Sequence, residues 1–341
     1  MIKVKKSDLN PLLNSLRKTY TLFAPVTVDG VTSFAEVSSS ADMVTDIINT
    51  RKSPKELFFP QTEILFSYNE EGIADERSEA KPVAIWGMRP CDARSLTMLD
   101  KVFGSAIQRP DDEYFQDSHW KEKYDSALIF VIACNEPAST CFCNWFESGP
   151  HDERGADVFV IDIGNSYLLK PVSEKGTAYC EGITEAKSSS ADTARAAELK
   201  TGAENMLGKP VKLHGLDKKL PELWNEGIWD ELSAKCINCA ACTYVCSTCH
   251  CFDIQDEQKG SAGKRLRLWD SCMYPLFTKE ASGHNTRPLS RDRVRQRVMH
   301  KFSYFADKYD EYLCTGCGRC VQVCPVNFDI RQVIKKLLTP N

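Results

Sequence analysis

The sequence predicts two domains: an α/β domain over residues 1–222 with a mostly parallel or mixed sheet, and an α-rich domain over residues 223–341. The chain has 341 residues, which is more than one small hydrophobic core usually organises. Its N-terminal part holds two uninterrupted apolar runs, which are typical of strands buried on both faces of a sheet. Most of its 16 cysteines lie in close groups, and the C-terminal third holds the densest of them.

The two apolar runs are residues 83–87 (VAIWG) and 126–133 (SALIFVIA). We expect them to form neighbouring central strands, because each lacks the alternation of a half-solvated strand. A helix-like stretch follows the first run, and a strand–turn–helix unit fits α/β architecture. Residues 157–172 predict a hairpin that turns at Gly164-Asn165. Residues 7–18 predict a short helix with Ser7 as its N-cap, and residues 208–222 predict a linker.

Composition and charge exclude several function classes. The net charge of −4 argues against nucleic acid as the main partner. No apolar run is long enough for a membrane-spanning helix, and the N-terminal segment lacks the apolar region of a secretory signal. Grouped cysteines in such a chain favour metal binding over disulfides. We therefore expect a protein of a reducing cytoplasm, and specifically that of an anaerobe.

Two cysteine runs share one spacing. Residues 236–246 read CINCAACTYVC, and residues 314–325 read CTGCGRCVQVCP. Both have the spacing Cys-x2-Cys-x2-Cys-x3-Cys, which is the cluster-binding run of bacterial ferredoxins. The C-terminal domain is thus predicted to be ferredoxin-like, with two 4Fe–4S clusters and an insertion at residues 252–310. A zinc site is the alternative, although zinc usually takes paired Cys-x2-Cys units.

The fourth cysteine of such a run binds the cluster of the other run. One predicted ligand set is therefore Cys236, Cys239, Cys242 and Cys324. The other set is Cys314, Cys317, Cys320 and Cys246. Ser247 replaces the proline that normally follows the first run, which predicts a change in loop stiffness without loss of ligands. Two adjacent clusters make an electron path, and no residue is predicted to be catalytic.

Four further cysteines follow the two predicted central strands. Because ligands gather at the carboxyl ends of strands in α/β sheets, we expect these cysteines to converge. They would then hold a third 4Fe–4S cluster in the N-terminal domain. The alternative is that they are buried core thiols and a loop pair, since free cysteine packs as a small hydrophobe. The four residues are Cys91, Cys134, Cys141 and Cys143.

Cys249 and Cys251 directly follow the first run, and Cys272 lies in the sequence WDSC. With His250 or His284 they could form another metal site, or Cys249 could replace Cys246 as a ligand. They could equally be thiols packed near the clusters. Cys180 is isolated and is expected to be structural.

Residues 264–301 form a basic segment with ten Lys or Arg and three Asp or Glu, a local charge of +7. Valines and phenylalanines recur at helical spacing within its C-terminal part, and most of the arginines lie elsewhere around the predicted helix. One interpretation is a solvated helix face. The other is a docking surface for an acidic partner.

Several segments together resemble one known family. In chain order they are RPCDA (89–93), CNEPASTCFCNW (134–145), GADVFVIDIGNSYLLKP (155–171), CINCAACTYVCSTCHCFDI (236–254), RLWDSCMYPLF (267–277), SGHNTRP (282–288) and the second cysteine run. In this order they resemble the A subunit of anaerobic sulfite reductases and the β subunit of NAD(P)-linked sulfhydrogenases. The resemblance covers nearly the whole chain, and the CFC, WDSC and GHN segments make it specific.

The resemblance implies a subunit that relays electrons inside a larger complex. Its implied partners are a flavin subunit that oxidises NAD(P)H and a terminal catalytic subunit, either a siroheme sulfite reductase or a nickel–iron hydrogenase. The sequence itself contains neither G-x-G-x-x-G after a strand nor a Walker motif, so we expect no flavin or nicotinamide site in this chain. The alternative function is a self-contained iron–sulfur reductase with a substrate site near Cys249, Cys251 and Cys272.

Overall fold

The structure is a computed structural model, and it describes residues 1–75, 81–105, 107–108, 114–183 and 186–339. The chain divides into two compact units. The first unit contains Met1–Phe58, Ser78–Pro210 and Thr315–Cys317, and the second contains Phe59–Arg77, Val211–Cys314 and Gly318–Asn341. This division differs from the predicted one, because residues 59–77 and 211–222 belong to the second unit and residues 315–317 to the first.

The strands are numbered in chain order. They are β1 (Ile2–Lys5), β2 (Thr21–Val28), β3 (Val31–Glu36), β4 (Thr62–Asn69), β5 (Gly72–Ala74), β6 (Val83–Met88), β7 (Ile107–Gln108), β8 (Tyr114–Phe115), β9 (Leu128–Ile132), β10 (Val158–Asp162), β11 (Ser166–Pro171), β12 (Phe252–Lys259) and β13 (Ala262–Trp269).

The α-helices follow the same order. They are α1 (Leu9–Thr19), α2 (Pro90–Phe103), α3 (Ser118–Ser126), α4 (Glu174–Glu181), α5 (Ser190–Met206), α6 (Leu216–Glu222), α7 (Ile228–Ser233), α8 (Ala241–Tyr244), α9 (Ser290–Met299), α10 (Phe305–Tyr309), α11 (Arg319–Gln322) and α12 (Ile330–Leu338). A π-helical turn, His300–Tyr304, joins α9 to α10. Short 3-10 turns occur at Lys6–Asp8, Ser40–Asp42, Pro54–Leu57 and Cys143–Phe146.

The first unit is built on a seven-stranded mixed sheet in the order β1-β11-β10-β9-β6-β2-β3. The pairs β2–β6, β6–β9 and β9–β10 are parallel, and the outer pairs are antiparallel. The mixed sheet and the adjacent central strands β6 and β9 were both predicted from the uninterrupted apolar runs, and the structure confirms them. The β10–β11 hairpin confirms the predicted turn at Gly164-Asn165.

Aromatic and aliphatic side chains fill the core of this sheet. The Trp86 ring is fully buried, with its centroid 5.1 Å from that of Phe130 and 5.7 Å from that of Tyr167. Helix α1 places its buried leucines in the same core. The prediction that Ser7 caps α1 is wrong, because Ser7 lies inside the 3-10 turn before the helix and its hydroxyl donates to Asp8 instead, at 2.9 Å.

The second unit combines short helices with a four-stranded antiparallel sheet in the order β12-β13-β4-β5. The sequence analysis described this region as α-rich and did not anticipate the sheet. Strand β4 comes from the N-terminal half of the chain, and it pairs with β13 about 200 residues later. The predicted insertion at 252–310 therefore contains two strands of this sheet, together with α9 and α10. Within the described ranges, no helix is long and apolar enough to cross a membrane.

Candidate iron–sulfur sites

The two cysteine runs fold into loops of the same conformation. Asn238 and Ala240 in the first run have φ of 57° and 60°, and Gly316 and Gly318 at the corresponding places of the second run have φ of 64° and 76°. Such left-handed residues are uncommon outside glycine, so their occurrence at both places in the first run is a specific feature. Each loop leads into a four-residue helix, α8 or α11. The equal spacing thus corresponds to an equal backbone path.

Cysteines from both runs line one cavity in the second unit, together with Met273, Phe328 and Arg297. The main-chain N–H of Phe328 donates to Cys324 Sγ at 3.1 Å, which fixes that side chain and supplies a donor to its sulfur. The cysteines that line the cavity are Cys236, Cys239, Cys242, Cys320 and Cys324. The structure therefore brings together all four members of the first predicted ligand set.

Two buried cations on neighbouring helical turns, Arg297 and Lys301, lie close to cysteine sulfurs of the second unit. Arg297 lies in the cavity wall, and its Nε has no hydrogen-bond partner in the described part of the chain. Lys301 Nζ donates to Cys246 Sγ at 3.4 Å. Burial opposes both charges, but the sulfurs around them hold the pKa of each cation above its ordinary value. For Arg297 these sulfurs are Cys242, Cys320, Cys249 and Cys246, and for Lys301 they are Cys246, Cys249 and Cys314.

The second predicted ligand set is divided between the units. Cys246, Cys314 and Cys320 lie in the second unit, whereas Cys317 belongs to the first. Within the second unit, the Thr248 hydroxyl lies 3.4 Å from Cys246 Sγ and donates to the Leu313 carbonyl at 2.9 Å.

A second cavity lies in the first unit, at the carboxyl ends of β6 and β9. All four cysteines of the predicted third site line it, and so do Arg89, Gly316 and Cys317. The two strand ends and the Cys-x-Cys loop therefore line one cavity. The four cysteines are Cys91, Cys134, Cys141 and Cys143.

Hydrogen bonds fix the backbone around this cavity. Asn49 Nδ2 donates to the Cys317 carbonyl at 3.0 Å, and Cys91 Sγ lies 3.7 Å from Asn49 Oδ1. Cys91 is also in the first turn of α2, where the partial positive charge of a helix N-terminus favours an anion. Arg89 donates to the Ala133 carbonyl at 3.0 Å, while its buried Nε has no partner in the described residues.

Burial disfavours the ionised form of two thiols in this cavity, those of Cys143 and Cys134. Burial raises the pKa of Cys143 to about 12, with further contributions from Cys141 and Cys134. Burial also raises the pKa of Cys134, although Arg89 opposes that shift. Ligand thiols must lose their protons to bind iron, so a cluster bound here would release protons as it assembled.

Cys249, Cys251 and Cys272 each lie against another sulfur. A hydrogen bond to Cys246, reinforced by burial, raises the pKa of the Cys249 thiol. A hydrogen bond to Cys251, again reinforced by burial, raises the pKa of Cys272. His250, one of the suggested additional ligands, has its Nδ1 3.0 Å from the Thr248 carbonyl and its ring against His300. Cys249 thus lies against the predicted ligand Cys246, whereas Cys251 and Cys272 lie against each other.

The sequence analysis missed several residues at these sites. It described the basic segment as either a solvated face or a docking surface, but Arg293, Arg297 and Lys301 are buried. These cations recur every four residues, and each directly precedes an apolar residue, Val294, Val298 or Phe302. This spacing could have indicated that the three cations share one buried face of the helix. It also did not place Cys317 and Arg89 beside the N-terminal cysteines.

The side chains present fit an iron–sulfur cluster better than a single ion. Among the described residues, no three His, Cys, Asp or Glu side chains are positioned to hold one metal ion. A 4Fe–4S cluster instead takes four thiolates spread around a cube. Each cavity offers at least four cysteines and an arginine with an unpaired buried Nε. A buried N–H donor without an acceptor is costly, and an anionic cluster would supply an acceptor and a negative charge beside each arginine.

Comparison with known proteins gives the same assignment. Residues 235–328 match the family model of the 4Fe–4S dicluster domain. The chain is 26% identical over 344 residues to sulfhydrogenase 2 subunit beta of Pyrococcus furiosus, and the match covers 98% of each chain. No solved structure matches. Residues 235–328 thus form a 4Fe–4S dicluster domain, and along its whole length the chain is similar to an iron–sulfur subunit of the sulfhydrogenase β type.

Proposed function

We propose that this electron-transfer subunit relays electrons between a flavin subunit that oxidises NAD(P)H and a terminal catalytic subunit. The observation that carries the proposal is the cavity in which Cys236, Cys239 and Cys242 of one run meet Cys324 of the other. Ligand exchange between two runs is the arrangement of a two-cluster ferredoxin. When bound, each cluster accepts and releases one electron at a time.

The residues of the chain then have defined roles. Cys236, Cys239, Cys242 and Cys324 would hold the first cluster, and Phe328 N–H would donate to the Cys324 sulfur. Amide donors to ligand sulfurs are one of the means by which a protein sets a cluster potential. The second cluster would take Cys314, Cys317, Cys320 and Cys246.

We further propose a third 4Fe–4S cluster in the first unit, held by Cys91, Cys134, Cys141 and Cys143. Its support is the convergence of these four residues on one cavity, together with the helix N-terminus at Cys91 and the unpaired Arg89 Nε. A cluster at this place would extend the electron path beyond the two ferredoxin-type sites.

The partners of the chain are proposed from its similarity to a hydrogenase subunit. A hydrogenase subunit implies further subunits, and the terminal one is proposed to be of the nickel–iron hydrogenase type or the siroheme sulfite reductase type. The proposed location is the cytoplasm of an anaerobe. None of the 16 cysteines forms a disulfide bond, which suits a reducing compartment.

The test is anaerobic purification of the chain, followed by cofactor analysis and reduction by dithionite. We expect iron and sulfide, 4Fe–4S signals in electron paramagnetic resonance, and neither flavin nor siroheme. Bound flavin or siroheme, or turnover of a small substrate by the isolated chain, would favour the self-contained reductase with a site near Cys249, Cys251 and Cys272.

A further inference from the structure

Helix α9 and the π-helical turn after it carry a row of three buried cations. The exposed fractions of Arg293, Arg297 and Lys301 are 5%, 4% and 3%. Arg293 has ordinary neutral acceptors: the carbonyls of Arg287 and Pro288 at 2.9 and 3.0 Å, and Asn238 Oδ1 at 3.2 Å. Through Asn238, Arg293 supports the loop of the first cysteine run, and neutral acceptors account for its position.

Lys301 differs from Arg293 in what it faces. Its Nζ donates to Thr248 Oγ1 at 2.8 Å, to the Leu313 carbonyl at 3.1 Å and to Cys246 Sγ at 3.4 Å. None of these acceptors is a carboxylate. Of the three acceptors that this buried ammonium contacts, the Cys246 sulfur is the one that can carry negative charge.

Arg297 lies one helical turn before Lys301. It lines the cavity of Cys236, Cys239, Cys242, Cys320 and Cys324, and its buried Nε has no hydrogen-bond partner among the described residues. The cysteines on this cavity come from both runs, so a charge at Arg297 faces both predicted ligand sets. Lys301 contacts a ligand of only one set.

We propose that Arg297 and Lys301 are the charge partners of the two ferredoxin-type clusters and raise their reduction potentials, Lys301 for the cluster bound by Cys246 and Arg297 for both. The inference rests on the proposed function, because it presupposes the two clusters. Each reduction adds one electron and one negative charge, with no proton required. A fixed positive charge beside the sulfurs stabilises the reduced state, most strongly in a site without water.

The place of these residues in the helix agrees with this role. The π-helical turn begins at His300, and Lys301 is its second residue. Such turns widen the helix locally and occur frequently at functional sites. Both residues act by positioning charge, and neither is proposed to carry electrons.

The test is a potentiometric titration of the whole, anaerobically purified chain, followed by electron paramagnetic resonance. The variants are Lys301→Gln and Arg297→Gln, which remove charge but keep polar groups. Lys301→Arg and Arg297→Lys keep the charge. Lys308→Gln is the matched control, because Lys308 lies on the next helix, is exposed and packs over the Tyr309 ring. A Cys239→Ala variant identifies the signal of the first-run cluster.

We expect Lys301→Gln to lower the ratio of reduced to oxidised cluster about tenfold at a fixed potential, for one of the two clusters. This ratio corresponds to a downward shift of about 59 mV for one electron. Arg297→Gln should shift both clusters downward. The charge-keeping variants and Lys308→Gln should titrate as the wild type does.

Unchanged potentials in Lys301→Gln and Arg297→Gln, with both clusters present, would overturn the inference. If Lys301→Gln loses its cluster, Lys301→Arg distinguishes charge from packing. A cluster retained in Lys301→Arg supports a requirement for charge. Equal loss in both variants shows a packing role and contradicts the inference. A wild-type chain without two reducible 4Fe–4S signals would instead defeat the proposed function itself, before any variant is compared.

Discussion

Cys141 Sγ lies 3.7 Å from the main-chain carbonyl oxygen of Cys317, a residue 176 positions later in the chain. The same carbonyl accepts a hydrogen bond from Asn49 Nδ2 at 3.0 Å. The tripeptide Thr315–Cys317 of the second cysteine run thus belongs to the wall of the N-terminal cavity. The proposed third site is therefore built from residues of the N-terminal half and from a tripeptide close to the C-terminus.

Replacing Cys141 with Ser should remove the third cluster alone. A serine oxygen is a poor substitute for a thiolate at iron, so we expect the iron content to fall from about twelve to about eight per chain. Cys180→Ser is the matched control, because Cys180 is buried on α4 and belongs to neither cavity. It should keep all the iron. Equal iron in Cys141→Ser and wild type would rule out Cys141 as a ligand.

Gly316 of the second run packs directly against the backbone of the Cys-x-Cys loop, residues 141–143. A Cβ there would lie 2.5 Å from the backbone of Phe142 and Cys143, and the Phe142 N–H donates to the Gly316 carbonyl at 2.8 Å. Gly316→Ala should therefore displace the loop and cause loss of iron from the N-terminal site, seen by iron quantitation. Gly30→Ala is the control, since Gly30 has a similar φ of +73° but open space around it. Full iron content in Gly316→Ala would contradict this prediction, because it would show that the loop can move without loss of the cluster.

Protonation of His151 should limit stability in acid. Burial, with a contribution from Lys200, lowers the pKa of His151 to about 4, and its Nε2 lies 3.1 Å from Asn135 Oδ1. The unfolded state gains a proton as pH falls below about 6.5, while the folded state stays neutral down to about 4, so stability falls across that window. His151→Gln should flatten this slope by up to about one proton in urea unfolding measured at several pH values. An unchanged slope in His151→Gln would contradict the assignment.

The crossed ligand sets predict that replacing either of two cysteines distant in sequence removes the same cluster. Cys324→Ser and Cys236→Ser should both remove the cluster of the first run, because both residues line the same cavity. Their residual electron paramagnetic resonance spectra, which report the remaining clusters, should coincide. A Cys324→Ser spectrum that instead lacks the cluster of Cys314 would show that each run binds its own cluster.

A buried ion pair between Glu63 on β4 and Arg267 on β13 links these two strands of the second unit's sheet. Arg267 Nε donates to Glu63 Oε2 at 3.1 Å, and the side chains are only 4% and 7% exposed. Glu63→Ala leaves a buried guanidinium without its partner, which should cost about 3–5 kcal/mol in unfolding free energy. The exposed pair Arg265–Asp256 on the same sheet is the control, and Asp256→Ala should change stability little. Similar effects of the two variants in denaturant unfolding would contradict the role of burial.

The parts of the fold that local patterns determine could be predicted from the sequence. Strands β6 and β9 are uninterrupted apolar runs, so their burial in the sheet and their adjacency could be inferred, and Cys91 and Cys134 could be placed at their ends. The pairing of β4 with β13 could not, because no local pattern links strands about 200 residues apart. Lys301 and Arg297 were missed for a different reason. Charged residues are normally exposed, and only the sulfurs opposite them make their burial tolerable.

Quantitation of iron and acid-labile sulfide in the anaerobically purified chain tests the central claim most directly. Three 4Fe–4S clusters require about twelve irons and about twelve sulfides per chain. About eight of each would leave the N-terminal cavity without a cluster while preserving the two ferredoxin-type sites. Zinc in place of iron, or iron without sulfide, would contradict the account of this chain as an electron-transfer subunit.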